Sequence, residues 1–199
     1  MKEQELSIET DIIFDHLGLI NIGFASIDHE IFREASERIL AAIRDGKTIY
    51  TAGNGASASI AQHWACDYTK GCSDLLYEAF EFKPRVISLS ANIPLMTAIS
   101  NDISYDQVYA YQLERLGTPG DVFISISSSG NSPSVVKACE MAIEMEMSVI
   151  ALTGFDGGKT KKLAHYPLHV DINEYEATED VHQAIMHMMA KYIRAKKFI

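Results

Sequence analysis

The stretch Ser127-Ser128-Ser129-Gly130-Asn131-Ser132 follows an apolar run, Val122 to Ile126, and precedes Pro133. The run reads as a buried strand, and a proline there suits the first position of a helix over 133–145. Strand, hydroxyl-rich turn and helix N-terminus together form a seat for a phosphate. Backbone N–H groups and the positive helix end face the anion, and serine hydroxyls add donors without a cation. An ordinary helix cap needs one hydroxyl. This loop offers four, on Ser127, Ser128, Ser129 and Ser132.

A second loop of the same type, Ala52-Gly53-Asn54-Gly55-Ala56-Ser57, follows a short strand over 47–51. Gly53-x-Gly55-x-x-Ala58 has the spacing of a dinucleotide fingerprint, which requires an acidic residue at the end of the next strand to bind the ribose. That strand, 84–89, runs into Ser90-Ala91-Asn92 and offers no carboxylate. A third stretch, Gly154-Phe155-Asp156-Gly157-Gly158-Lys159-Thr160, is one residue short of a nucleotide P-loop. It reads as a Gly-rich turn, and no nucleotide cofactor is expected.

Acid–base or metal chemistry has two sources. His63 and Asp67 are four apart on the helix that leaves the first loop, so they share a face. Glu179, His182 and His187 lie on the last helix, where Glu179 and His182 share a face at i, i+3 and Glu179 and His187 face broadly alike two turns apart. Two histidines and two carboxylates can hold a divalent cation or act directly as general acid and base. His29, His165, His169 and Asp102 are read as structural.

The elements that must position these residues follow from periodicity. Two helices open the chain, over 5–25 and 28–44, with Asp28 as N-cap of the second and Gly46 ending it. Strands are expected at 47–51, 84–89, 121–126, 147–152 and 166–171, and helices at 57–70, 92–100, 104–116, 133–145, 157–164 and 177–195. Apolar strands alternating with helices imply a parallel sheet covered on both faces, with ligands at the C-terminal strand ends. A single domain is expected over 1–199, with N-terminal helices over 1–46, an α/β core over 47–172 and a C-terminal helix over 173–199. The last helix is apolar nearly all round, which places it, with the N-terminal pair, in a subunit interface.

Composition narrows the partners. The 199 residues are 47% hydrophobic and carry a net charge of −10, which argues against nucleic acid. No apolar segment approaches the roughly 20 residues of a membrane span, so no membrane partner is expected. The acidic start, Met1 to Glu5, has no signal-like apolar region, and Cys66, Cys72 and Cys139 lack metal-type spacing. A cytoplasmic protein with reduced thiols is expected.

Together these features resemble the sugar isomerase (SIS) domain family, and within it the phosphoheptose isomerase group, which interconverts sedoheptulose 7-phosphate and a mannoheptose 7-phosphate. The similarity runs over nearly the whole chain. It rests on Gly53 to Ser57, Ala61-Gln62-His63, Ser100-Asn101-Asp102, Gly120-Asp121-Val122, Ile126 to Ser132 and Leu152 to Gly158. It implies a three-layer α/β sandwich with a five-stranded parallel flavodoxin-like sheet, an extra N-terminal helix pair, and a homotetramer with sites between subunits. It also implies that Ser57, Ser127, Ser129 and Ser132 hold the phosphate, with Asn54 and Ser128 nearby. His63 matches a family metal ligand and His187 the catalytic histidine. Asp67 stands where the family carries its catalytic glutamate, and Glu179 where it carries a glutamine ligand. Glu176 replaces a family aspartate, and Lys70 or Gly71 a family arginine.

The expected activity is aldose–ketose isomerisation of a phosphorylated sugar by enediol proton transfer. Asp67 and His187 are catalytic, and Glu179 contacts substrate. A zinc-like cation could sit at His63, Asp67, Glu179 and His187. The alternatives are a non-catalytic phosphosugar-binding or replication-initiator-binding protein on the same scaffold, or another phosphosugar reaction such as etherase chemistry.

Overall fold

The computed structural model describes residues 2–72 and 83–196. Helices α1 (Lys2–Ser26) and α2 (His29–Arg44) lead into β1 (Thr48–Ala52), α3 (Ala56–Cys66) and a π-helical turn over Asp67–Cys72. Then come β2 (Arg85–Ser88), α4 (Ile93–Asp102), a short 3-10 turn over Tyr105–Gln107, and α5 (Ala110–Leu116). The second half is β3 (Val122–Ile126), α6 (Pro133–Glu144), β4 (Ser148–Thr153), α7 (Gly158–Leu163), β5 (Tyr166–His169) and α8 (Tyr175–Ala195).

All strand pairs are parallel and the order is β2-β1-β3-β4-β5. This is the flavodoxin-like sheet that was expected, with strand positions shifted by at most two residues. The order reverses between β1 and β3, and ligands in open α/β sheets bind at such a switch point. The loops after these two strands are the two hydroxyl-rich loops of the sequence. The pairing of Ala52 with Ser125 sets them side by side.

Alternating side chains divide the core into two layers. Ile49, Val86, Ile124, Ile150 and Leu168 pack under α2, α3 and α8. Tyr50, Phe123 and Val149 pack under α4, α5 and α6. Asp28 caps α2 through hydrogen bonds from the Glu30 and Ile31 N–H groups. Buried Asp121 anchors the entry to β3 by accepting from the N–H groups of Thr48 and Thr118, each at 2.8 Å.

Two helices and one residue differ from expectation. The helix expected over 57–70 is α only to Cys66 and winds as a π-helix from Asp67. The helix expected over 104–116 breaks into the 3-10 turn and α5. His182 shares no face with Glu179: it is fully buried in the core. Burial pushes its imidazole down to about 4, and the Thr153 backbone offsets only part of that.

The serine loop is held from behind by glycine-to-glycine packing. Gly130 has φ +63°, and a Cβ there would lie 2.0 Å from the Gly157 carbonyl oxygen. A Cβ at Gly158 would lie 2.5 Å from the Ser129 carbonyl oxygen and 2.6 Å from the Gly130 carbonyl carbon. The Lys159 and Thr160 N–H groups both donate to the Gly130 carbonyl at 3.0 Å. The Gly-rich turn after β4 is therefore a backstop for the serine loop.

Two stability predictions follow from these contacts. Gly130→Ala combines a left-handed backbone with a backbone clash. It should cost about 2–4 kcal/mol, seen as a fall of roughly 5–15 °C in Tm. His182 is depressed below its ordinary 6.5, so its contribution is complete above that value and is lost as pH falls toward 4. Urea titrations should show about 3 kcal/mol less stability at the acid end, a loss that His182→Leu should not show.

Candidate functional site

A cavity of about 260 Å³ opens between the two hydroxyl-rich loops. Asn54 and Ser57 line it from the first loop, and Ser127, Ser128, Ser129 and Ser132 from the second. Tyr175 and Glu179 close it from α8. Every residue expected to touch a phosphate is thus at one cavity. Among the described residues, its lining holds no lysine or arginine.

The donors are arranged by the fold. The Ser127, Gly130 and Asn131 N–H groups are spent inside the structure, on Leu152 O, Ser127 O and Ser129 Oγ. The loop's binding capacity therefore rests more on hydroxyls than on those amides. Ser132 precedes the first residue of α6, yet its hydroxyl makes no capping bond. Ser128 Oγ is buried and has no hydrogen-bond partner among the described residues. A buried hydroxyl without a partner is costly, and an anion in the cavity would satisfy it.

Asn54 is locked on both ends of its amide. Its Nδ2 donates to Ser134 Oγ at 3.0 Å, and its Oδ1 lies 2.8 Å from the Tyr105 hydroxyl and 2.9 Å from that of Tyr109. The Tyr109 hydroxyl also lies 2.6 Å from the Gly53 carbonyl. These two tyrosines and Tyr175 escaped the sequence reading. Nothing in their local spacing marks them, because each meets the site through tertiary packing.

The second feature is a cluster of His63, Asp67 and His187, whose candidate ligand atoms all lie within 4.8 Å of one another. Asp67 Oδ1 is 3.2 Å from His63 Nε2, and Oδ2 is 3.6 Å from His187 Nε2. The two rings meet edge-on at 5.1 Å. Asp67 sits at the junction of α3 and the π turn. Two imidazoles and a carboxylate, all partly exposed, fit a zinc-like ion that keeps an open position for substrate.

Glu179, expected as a fourth ligand, lies outside this group and lines the cavity between the two loops. Burial raises its carboxyl above the ordinary value, and the charges of Glu176 and Asp180 add to that. Gln183 was not anticipated. Its side-chain amide lies 2.9 Å from His63 Nδ1 and 3.3 Å from His187 Nε2. A sequence signal did exist: Glu179, Gln183 and His187 recur at i, i+4, i+8, so one helical stripe faces the site.

Comparison with known proteins places the chain in a family. Residues 24–154 match the SIS domain. The phosphoheptose isomerase of Helicobacter pylori is 36% identical over 164 residues, covering 82% of this chain and 83% of that protein. That of Colwellia psychrerythraea is 34% identical over 203 residues, covering 100% and 97%. Among solved structures, phosphoheptose isomerase GmhA from Neisseria gonorrhoeae superposes with a TM-score of 0.82 at 29% identity, covering 98% of this chain and 100% of that one. A phosphoheptose isomerase from Francisella tularensis, at 24% identity and a TM-score of 0.86, shares the fold over 96% of this chain and 98% of its own. The chain belongs to the SIS-domain family, in its phosphoheptose isomerase group.

Proposed function

We propose that this protein interconverts an aldose and a ketose phosphate of the sedoheptulose 7-phosphate type through an enediol. The observation that carries the proposal is the conjunction of a hydroxyl-lined cavity with a His/Asp cluster, bridged by Glu179 and Gln183 on one stripe of α8. The named activity of the curated relatives supports it.

In this reading Ser57, Ser127, Ser129 and Ser132 grip the phosphate, and the buried Ser128 hydroxyl gains its missing partner. Asn54, held rigid by Tyr105 and Tyr109, fixes one wall. Binding energy at the phosphate orients the reacting carbons, which are remote from it. From the aldose side, Asp67 accepts the proton from C2 and returns it to C1. His187 carries a proton from the C2 hydroxyl to the C1 oxygen, so charge and atoms balance at the ketose. His63 and His187 flank the Asp67 carboxylate and keep it aimed. A zinc-like cation held by His63, Asp67 and His187 would supply electrostatic stabilisation of the enediolate.

We further propose a homotetramer in a cytoplasmic setting. On α1, Ile12, Ile13 and Phe14 are 62%, 59% and 68% exposed, an apolar surface for a second copy to cover. The last helix contributes less than its composition suggested, since Val181, Ile185, Met186, Met189 and Ile193 are buried in its own core. Free Cys66, Cys72 and Cys139 suit a reducing compartment. No helix of the described residues is long and apolar enough to cross a membrane.

Two variants test the two halves of the site. Ser128→Ala removes a buried hydroxyl with no partner in the free protein. Its thermal stability should stay level or rise, while affinity for a ketose 7-phosphate falls about tenfold or more in calorimetry. His187→Ala should abolish turnover in a coupled isomerase assay and leave phosphosugar binding within a few-fold. Undiminished turnover would remove His187 from the chemistry.

A further inference from the structure

Gln183 ties the two histidines together: it meets His63 on the ring nitrogen that Asp67 does not reach, and His187 on the same nitrogen that Asp67 faces. Its Nε2 lies 2.9 Å from His63 Nδ1 and 3.3 Å from His187 Nε2. Asp67 Oδ1 lies 3.2 Å from His63 Nε2, and Oδ2 3.6 Å from His187 Nε2. With His63 neutral and Asp67 ionised, these contacts fix the remaining protons. An ionised carboxylate only accepts, so neutral His63 carries its proton on Nε2 and donates it to Asp67. His63 Nδ1 is then a lone pair that needs a donor, and the amide NH₂ of Gln183 provides it. The second amide hydrogen is directed at His187 Nε2, which must also be a lone pair. The proton of His187 therefore sits on Nδ1. An amide turned the other way would set its oxygen against the His63 lone pair.

We propose that Gln183 is the positioning residue of this centre, whose side-chain amide sets the tautomers and ring orientations of both His63 and His187. In the free protein it donates to His63 Nδ1 and His187 Nε2, and the Nε2 atom of each ring faces the Asp67 carboxylate. The second half of the inference rests on the metal reading given above. An ion held at Nε2 of each histidine requires the proton of His63 to move to Nδ1. The amide then turns over so that its oxygen accepts that proton. An amide is the group that serves both states, since it carries a donor and an acceptor on one rotatable plane. Outer partners of this kind orient ligating histidines and raise their basicity.

The experiment compares wild type with Gln183→Leu and Gln183→Glu, full chain, in two readouts. The first is nitrogen NMR of histidine-labelled protein stripped of metal. Wild-type His187 should report its proton on Nδ1. In Gln183→Leu it should move to Nε2, where Asp67 is the remaining acceptor. The second is competitive zinc titration against a chromophoric chelator. Gln183→Leu should bind zinc roughly 10- to 100-fold more weakly. Gln183→Glu should stay within a few-fold of wild type, because a carboxylate can still accept from Nδ1–H. A Gln183→Leu protein that keeps the wild-type His187 tautomer overturns the inference, whatever its zinc affinity. A wild type that takes up no zinc would sink the metal reading alone, and the tautomer readout would still decide the role of Gln183.

Discussion

In the proposed reading an acidic molecule holds a phosphate through uncharged groups, and the rest of the site is built around that constraint. The chain carries a net charge of −10, and the cavity lining contains no cationic side chain among the described residues. What remains is a dense set of neutral donors brought together at a sheet's switch point. Neutral donors are weak one by one, so their positions must be exact to a fraction of an ångström to act together. This explains why the serine loop is packed glycine against glycine on the turn after β4. It also explains why Asn54 is tethered to Ser134, Tyr105 and Tyr109.

The same constraint gives Glu179 its character. A carboxyl in the wall of an anion cavity opposes the anion when ionised. Its burial, with Glu176 and Asp180 near it, holds its carboxyl above the ordinary value. Farther along the same helical stripe, Gln183 and His187 turn to the His/Asp cluster. One helix thus carries residues of both the cavity and the His/Asp cluster.

Much of this was legible in the sequence because it depended on local pattern. Apolar runs marked all five strands, and loop composition marked the cavity residues of the two hydroxyl-rich loops. The i, i+4 spacing of His63 and Asp67 put them on one face, as the structure has it. What depended on tertiary packing was not legible. Tyr105, Tyr109 and Tyr175 reach the site from segments with no signal of their own. His182 was grouped with Glu179 because i, i+3 residues are neighbours, but they differ by about 60° in azimuth. The 179/183/187 stripe drifts the other way, so His182 turns into the core and Gln183 toward the site. The π winding that begins at Asp67 had no marker in composition, and the sequence reading continued an α-helix through it.

The central claim is that phosphate grip and proton transfer belong to one catalytic site. It is tested most directly by incubating the protein with sedoheptulose 7-phosphate in D₂O and following the sugar by NMR. The account predicts conversion to an aldose phosphate, with solvent deuterium entering at the carbons that exchange the carbonyl. Saturable binding of the sugar with neither conversion nor deuterium uptake would contradict it and mark the chain as a binding protein on an isomerase scaffold.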